Sequence, residues 1–134
     1  MAKLTPGVRA LFEGANFGHL ATIMPDGSPQ VTVVWVDVEG DNILVNTAEG
    51  RIKPRNVCRD PRVAISIYNQ DVPYQSATVQ GEVVEVRSEG ALESIHRLAK
   101  KYMGLDEYPN LRPGDQRLLF VIRPDQVAGM RTDD

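Results

Sequence analysis

Arg51, Lys53 and Arg55 place three cations within five residues, inside the stretch NTAEGRIKPRN at positions 46–56. Thr47 adds a hydroxyl, Gly50 permits a tight backbone turn, and a helix starting just beyond would leave free N–H groups in its first turn. Hydroxyl, pliable backbone, cations and a helix N-terminus are the components of a phosphate site. On this local chemistry two readings stay open: an anion-binding loop, or a wet loop whose charges face solvent, as exposed Lys and Arg do by default. The sequence upstream favours the first. It carries Gln30-Val31-Thr32 and Trp35, an apolar wall with a few amide and backbone groups, which beside an anion anchor suits a flat, phosphorylated ring system. Trp35 itself reads first as a core residue and second as a stacking partner.

Other reactive side chains are sparse. His19 falls in a strand and His96 in a helix, neither has a partner at metal-ligand spacing, and no HxxxH or CxxC occurs. No metal site and no catalytic triad is expected. Cys58 reads as a small, partly buried helical residue, because a reactive thiolate needs an activating environment. Being the single cysteine, it leaves no internal disulfide, which fits a reducing cytoplasm.

The elements that must position these residues are mostly strands. Thr5 and Pro6 open a short helix whose apolar stripe is Val8, Leu11 and Phe12, ending at Gly14. Strands follow at 18–24, 29–38 and 43–46, separated by turns at 25–28 and 39–42, so that they read as a meander. In the second, Val31, Val33 and Trp35 make one wholly apolar face, and Gln30, Thr32, Val34 and Val36 a mixed one. A short helix is predicted over 51–59, strands over 63–68 and 76–87 around a 69–75 loop, with a bulge or bend at Gly81. Ser88 caps a long helix over 89–103, striped by Leu92, Ile95, Leu98, Ala99 and Tyr102. After a 104–116 loop comes a strand at 117–123 that Pro124 stops, with a short edge piece at 127–130. The expectation is a mainly β fold: a small barrel of about six antiparallel strands with peripheral helices, in one domain over 1–134.

Composition narrows the function. A net charge of -3 argues against broad nucleic-acid binding but leaves room for one small basic pocket. The N-terminal stretch MAKLTPGVRALFEG lacks the apolar core of a signal peptide, and no apolar run approaches a membrane span, so a cytoplasmic protein is expected.

Three blocks then carry a resemblance: GHLATIMPDGSPQVTVVW, ILVNTAEGRIKPRNVCRDPRVAISI and ATVQGEVVEV, in that order. They resemble the split-barrel flavin-binding proteins related to pyridoxamine 5'-phosphate oxidase, most specifically through NTxxGRxKxRNxxRDPRV. Within that superfamily the chain is most similar to the branch of reductases that use the deazaflavin coenzyme F420. The resemblance implies a homodimer of split barrels with cofactor sites at the interface. It implies that Arg51, Lys53 and Arg55 hold the cofactor's phosphate and tail, flanked by Asn46, Thr47 and Ala48. It places Gln30, Val31, Thr32 and Val33 along the ring, and Pro73 and Tyr74 on a loop approaching from the neighbouring subunit. Tyr102 and Tyr108 are candidates for the pocket rim, and Tyr74, if it reaches the ring, for a proton donor. The terminal PDQVAGMRTDD does not match the basic and aromatic substrate block of the true oxidases. The expected activity is hydride transfer from reduced F420 to a small conjugated organic substrate. The alternatives are an FMN-dependent enzyme of the same fold and a cofactor carrier without turnover.

Overall fold

The computed structural model describes residues 2–132. The last two residues of the terminal segment and Met1 lie outside them. Helix α1 (Pro6–Glu13) begins as its sequence dictates: the Val8 N–H donates to Thr5 Oγ1 at 3.4 Å, and Val8, Leu11 and Phe12 are buried. Strands β1 (Gly18–Ile23), β2 (Pro29–Val34), β3 (Val36–Glu39) and β4 (Asn42–Ala48) precede helix α2 (Ile52–Arg59). Strands β5 (Arg62–Tyr68) and β6 (Ser76–Arg87), helix α3 (Ala91–Met103) and strand β7 (Arg117–Met130) complete the chain. Seven antiparallel strands form one curled sheet, ordered β2-β1-β5-β6-β7-β4-β3. Leu20, Val63, Ile65, Ile67, Val79, Phe120 and Ile122 meet α1 in the core inside the curl.

The strand expected over 29–38 is two strands, and the expected meander is two hairpins on opposite edges of the sheet. β2 pairs only with β1, and β3 only with β4, so at Trp35 the chain steps from one edge to the other. A twisted sheet of this many strands curls until its edges approach, which makes that step possible without a turn. The step frees backbone groups at Val36, and α3 satisfies them. The Val36 N–H donates to the Tyr102 hydroxyl at 3.0 Å, and Lys101 Nζ donates to the Val36 carbonyl at 2.6 Å and the Phe12 carbonyl at 2.8 Å.

Two further boundaries differ from expectation. Pro124 does not stop β7, because it sits at a bulge: Gly81 faces Pro124 while Gln80 faces Gln126, leaving Asp125 unmatched. Gly81 is the residue this permits, since a Cβ there would lie 2.1 Å from the Arg123 carbonyl oxygen. Helix α3 is not capped by Ser88; it starts after Gly90, whose φ of 78° turns the chain into the helix without a side-chain cap. Leu92 of the expected stripe is exposed, and Cys58, expected to be partly buried, is exposed on α2. The apolar positions Val31 and Val33 point outward at 62 % and 63 % exposure, while Gln30 and Thr32 alternate with them on the side shared with buried Leu20 and Thr22.

Candidate functional site: a cationic cavity

Strand β4 delivers Asn46 and Thr47 to its C-terminal end, and Gly50, at φ 89°, turns the chain into α2. Arg51 occupies the N-cap of α2 without a side-chain cap bond, and Lys53 lies in the first turn. Across from them stand Trp35 at the edge-to-edge step, Ile95 and Leu98 of α3, and Tyr108 of the following loop. Arg117 opens β7 directly beside Ala48. Together they line a half-open cavity of ≈ 170 Å³.

The apolar wall is stiffened by aromatic contacts. Trp35 stacks on Tyr102 with centroids 5.1 Å apart and takes Tyr108 edge-on at 5.8 Å. His96 is structural here: its Nδ1 accepts from the Tyr108 backbone N–H at 3.0 Å and so fixes the loop. Tyr102 stands behind Trp35 rather than at the rim, donating to the Asn16 carbonyl at 2.6 Å, and burial pushes its phenol up to about 12.

The polar end is positive and under-satisfied. Arg117 is only 8 % exposed; its Nε donates to Asn46 Oδ1 at 2.9 Å, and its guanidinium lies over the Tyr108 ring at 5.5 Å. Its Nη1 is buried with no hydrogen-bond partner, and so is Thr47 Oγ1. Asn46 is itself held, donating to the Ala91 carbonyl at 2.7 Å. Burial lowers the pKa of Lys53, and the neighbouring Arg51 charge lowers it further; burial likewise lowers that of Arg117. No Asp or Glu lines the cavity, and none of the three cations forms an ion pair among the described residues. Five other arginines are matched to acids: Arg9 to Asp41, Arg62 to Asp60, Arg87 to Glu39, Arg97 to Asp37 and Arg123 to Glu82. A buried cation without an anion is costly by several kcal/mol. Orphaned donors, clustered cations and absent acids fit the phosphate end of a flavin-type cofactor.

Of the residues predicted from sequence, the cavity brings together Val33, Asn46, Thr47, Arg51 and Lys53, with Tyr108 at its side. Ala48 is buried behind them. Gln30, Val31 and Thr32 lie farther along β2, outside this cavity, with Gln30 Oε1 and Thr32 Oγ1 buried and unpartnered. Arg55 is exposed and does not line it: two residues beyond Lys53 on a helix is about 200° round the axis. Pro73 and Tyr74 stand on an exposed loop away from it; Tyr74 is 71 % exposed, with the Arg131 guanidinium 5.7 Å over its ring. Arg117 was missed. Its signal, a cation opening the apolar strand RLLFVIR, names no partner, because Asn46 lies 71 residues away. A larger concavity of ≈ 480 Å³ lies between β1, β5, β6 and β7, but no orphaned buried polar atom faces it and its Arg62 is already bound to Asp60 at 2.7 Å.

The sequence profile of pyridoxamine 5'-phosphate oxidase matches residues 4–131. The chain belongs to that family. Among solved members of this fold, a protein described as an F420 reductase is 31 % identical, with 90 % of this chain and 94 % of that chain covered and a TM-score of 0.78. A conserved hypothetical protein of Mycobacterium tuberculosis is 25 % identical over 98 % of this chain and 90 % of its own, with a TM-score of 0.70. General Stress Protein 26 of Bacillus anthracis shares the fold at 19 % identity, covering 92 % and 91 % of the two chains, with a TM-score of 0.70. In this member of the pyridoxamine 5'-phosphate oxidase family, the cationic cavity coincides with the NTxxGRxKxRN segment that carries the sequence resemblance.

Proposed function

We propose that this chain is an oxidoreductase that uses coenzyme F420 and passes hydride to a small conjugated organic substrate. The observation that carries the reading is the acid-free cluster of buried Arg117, half-buried Lys53 and exposed Arg51 beside the Trp35 wall. The similarity to an F420 reductase supports the choice of cofactor. When bound, the reduced deazaflavin supplies the hydride. The chain's own residues bind and orient. Lys53 and Arg51 neutralise the phosphate, Thr47 offers a hydroxyl, and β2 provides the edge along which the ring lies. Trp35 and Tyr108 exclude water from the anchored end, which strengthens each charge contact there.

A homodimer belongs to this proposal. The outward face of β2 presents Val31 and Val33, and Tyr74 projects from the neighbouring loop region, apolar surface that a second copy would cover. In such a dimer the exposed Pro73-Tyr74 loop is free to approach the other chain's ring. FMN is the second reading, favoured by the family's match over residues 4–131 and by the same phosphate-suited cavity. Absorbance titrations of the pure protein separate the two: saturable F420 binding with weak FMN binding supports the proposal, and tight FMN binding without F420 binding reverses it.

A further inference from the structure

We infer that Arg117 is a third anion-binding cation of this cavity, beside Arg51 and Lys53, donating from its buried Nη1 to one phosphate or carboxylate group held jointly with Thr47 and Lys53. This deepens the cofactor-site reading by adding a residue that lies outside the NTxxGRxKxRN segment. Three observations carry it. The first is placement: Arg117 faces Ala48 across the β4–β7 ladder, which sets its side chain on the face of β4 that carries Asn46, and Asn46, Thr47 and Arg117 all line the cavity. The second is orientation. Asn46 Oδ1 takes the Nε proton at 2.9 Å and Tyr108 underlies the guanidinium, so the planar fork is held in one pose with Nη1 left over. The third is the missing acceptor: Nη1 and Thr47 Oγ1 are both buried without a partner, although arginine normally retains water or an acid when it cannot find a carbonyl. The one acid that acts on Arg117 at longer range, Asp115, accepts the Arg112 backbone N–H at 3.0 Å and does not line the cavity. A fixed fork with a free, desolvated donor beside a hydroxyl matches a tetrahedral or planar oxyanion. Asn46 then acts as the positioning residue.

The test uses the chain's single tryptophan, Trp35, which lines the cavity and reports occupancy by fluorescence. The wild type, Arg117→Met, Arg117→Lys and Thr47→Val are titrated with inorganic phosphate and, separately, with succinate at constant ionic strength. Melting temperatures are recorded with and without each anion. A parallel arm compares FMN with riboflavin, which lacks the phosphate. The expected result is saturable anion binding by the wild type, weakened at least about tenfold in Arg117→Met and less in Arg117→Lys. The anion-dependent rise in melting temperature disappears in Arg117→Met, and Thr47→Val melts no lower than wild type without anion yet binds it more weakly. Loss of FMN affinity in Arg117→Met with riboflavin affinity unchanged assigns the anion to the cofactor phosphate; a response to succinate in preference to phosphate assigns it to a carboxylate. Anion binding by a wild type that takes up neither F420 nor FMN leaves the subsite standing and removes the proposed function. Wild-type anion affinity in folded Arg117→Met or, should that variant not fold, in both Arg117→Lys and Thr47→Val, overturns the inference. So does a wild type whose Trp35 fluorescence and melting temperature ignore both anions.

Discussion

Arg51 and Lys53 face the cavity, and Arg55 faces solvent. The cluster itself was legible, because Thr47, Gly50, Arg51, Lys53 and Arg55 are contiguous and their types alone suggest an anion. Their division was legible only once the helix start was fixed: with Arg51 at the N-cap, Lys53 turns to the cavity and Arg55 to solvent. Lys53→Ala is therefore expected to weaken F420 binding by about 10–150-fold, the loss of a charge-assisted hydrogen bond of about 1.5–3 kcal/mol. Arg55→Ala should stay within about threefold, as surface charges do. Equal losses in the two variants, measured by the same titration, would place the anchor elsewhere. Arg117 was illegible for a different reason: its meaning is set by pairing with Asn46 across the sheet, and nothing in RLLFVIR records that pairing.

Among the elements, alternation in sequence revealed β1, β5 and β6 because one face of each is buried and the other is not. It failed at Trp35, where an unbroken run of β-branched residues conceals a change of pairing partner that only the curl of the whole sheet imposes. Tyr102 and Lys101 close that break, so the C-terminal turn of α3 fastens the wall of the site. Tyr102→Phe should cost about 1–2 kcal/mol in chemical denaturation near neutral pH, from the hydrogen bonds lost. It should also alter the alkaline limb. Burial raises the Tyr102 phenol from 10.0 to about 12, so the unfolded chain releases this proton first. Its contribution is then intact below about pH 10 and declines as pH rises toward 12. The variant should show a shallower loss over that window, and an unchanged slope would remove the phenol from the account. Where β6 crosses β7, Gly81→Ala forces a Cβ against the Arg123 carbonyl and should destabilise by about 1–3 kcal/mol, read as a lower melting temperature. A neutral substitution there would mean the bulge at Asp125 relaxes freely.

Taken as a whole molecule, the chain is acidic, yet Arg51, Lys53 and Arg117 stand together without an acid where α2 begins and β7 starts. Net charge concealed this; the meeting of three cations from α2 and β7 at one cavity exposes it. The outward Val31 and Val33 were readable as a strand's apolar face but not as surface, since a sequence does not say which face of an edge strand looks inward. Sedimentation of the wild type should give a dimer, and Val31→Asp combined with Val33→Asp should shift it toward monomer with weaker cofactor binding; a wild-type monomer with full affinity would remove the interface from the proposal. In the proposed function the cavity cations moor the phosphate of a planar redox cofactor. An equilibrium titration of the pure protein with F420, and with the same chromophore lacking phosphate and tail, tests this mooring. Saturable binding of F420 is expected, at least about tenfold weaker for the truncated form. Equal affinity for the two, or no saturable binding of either F420 or FMN, would contradict it.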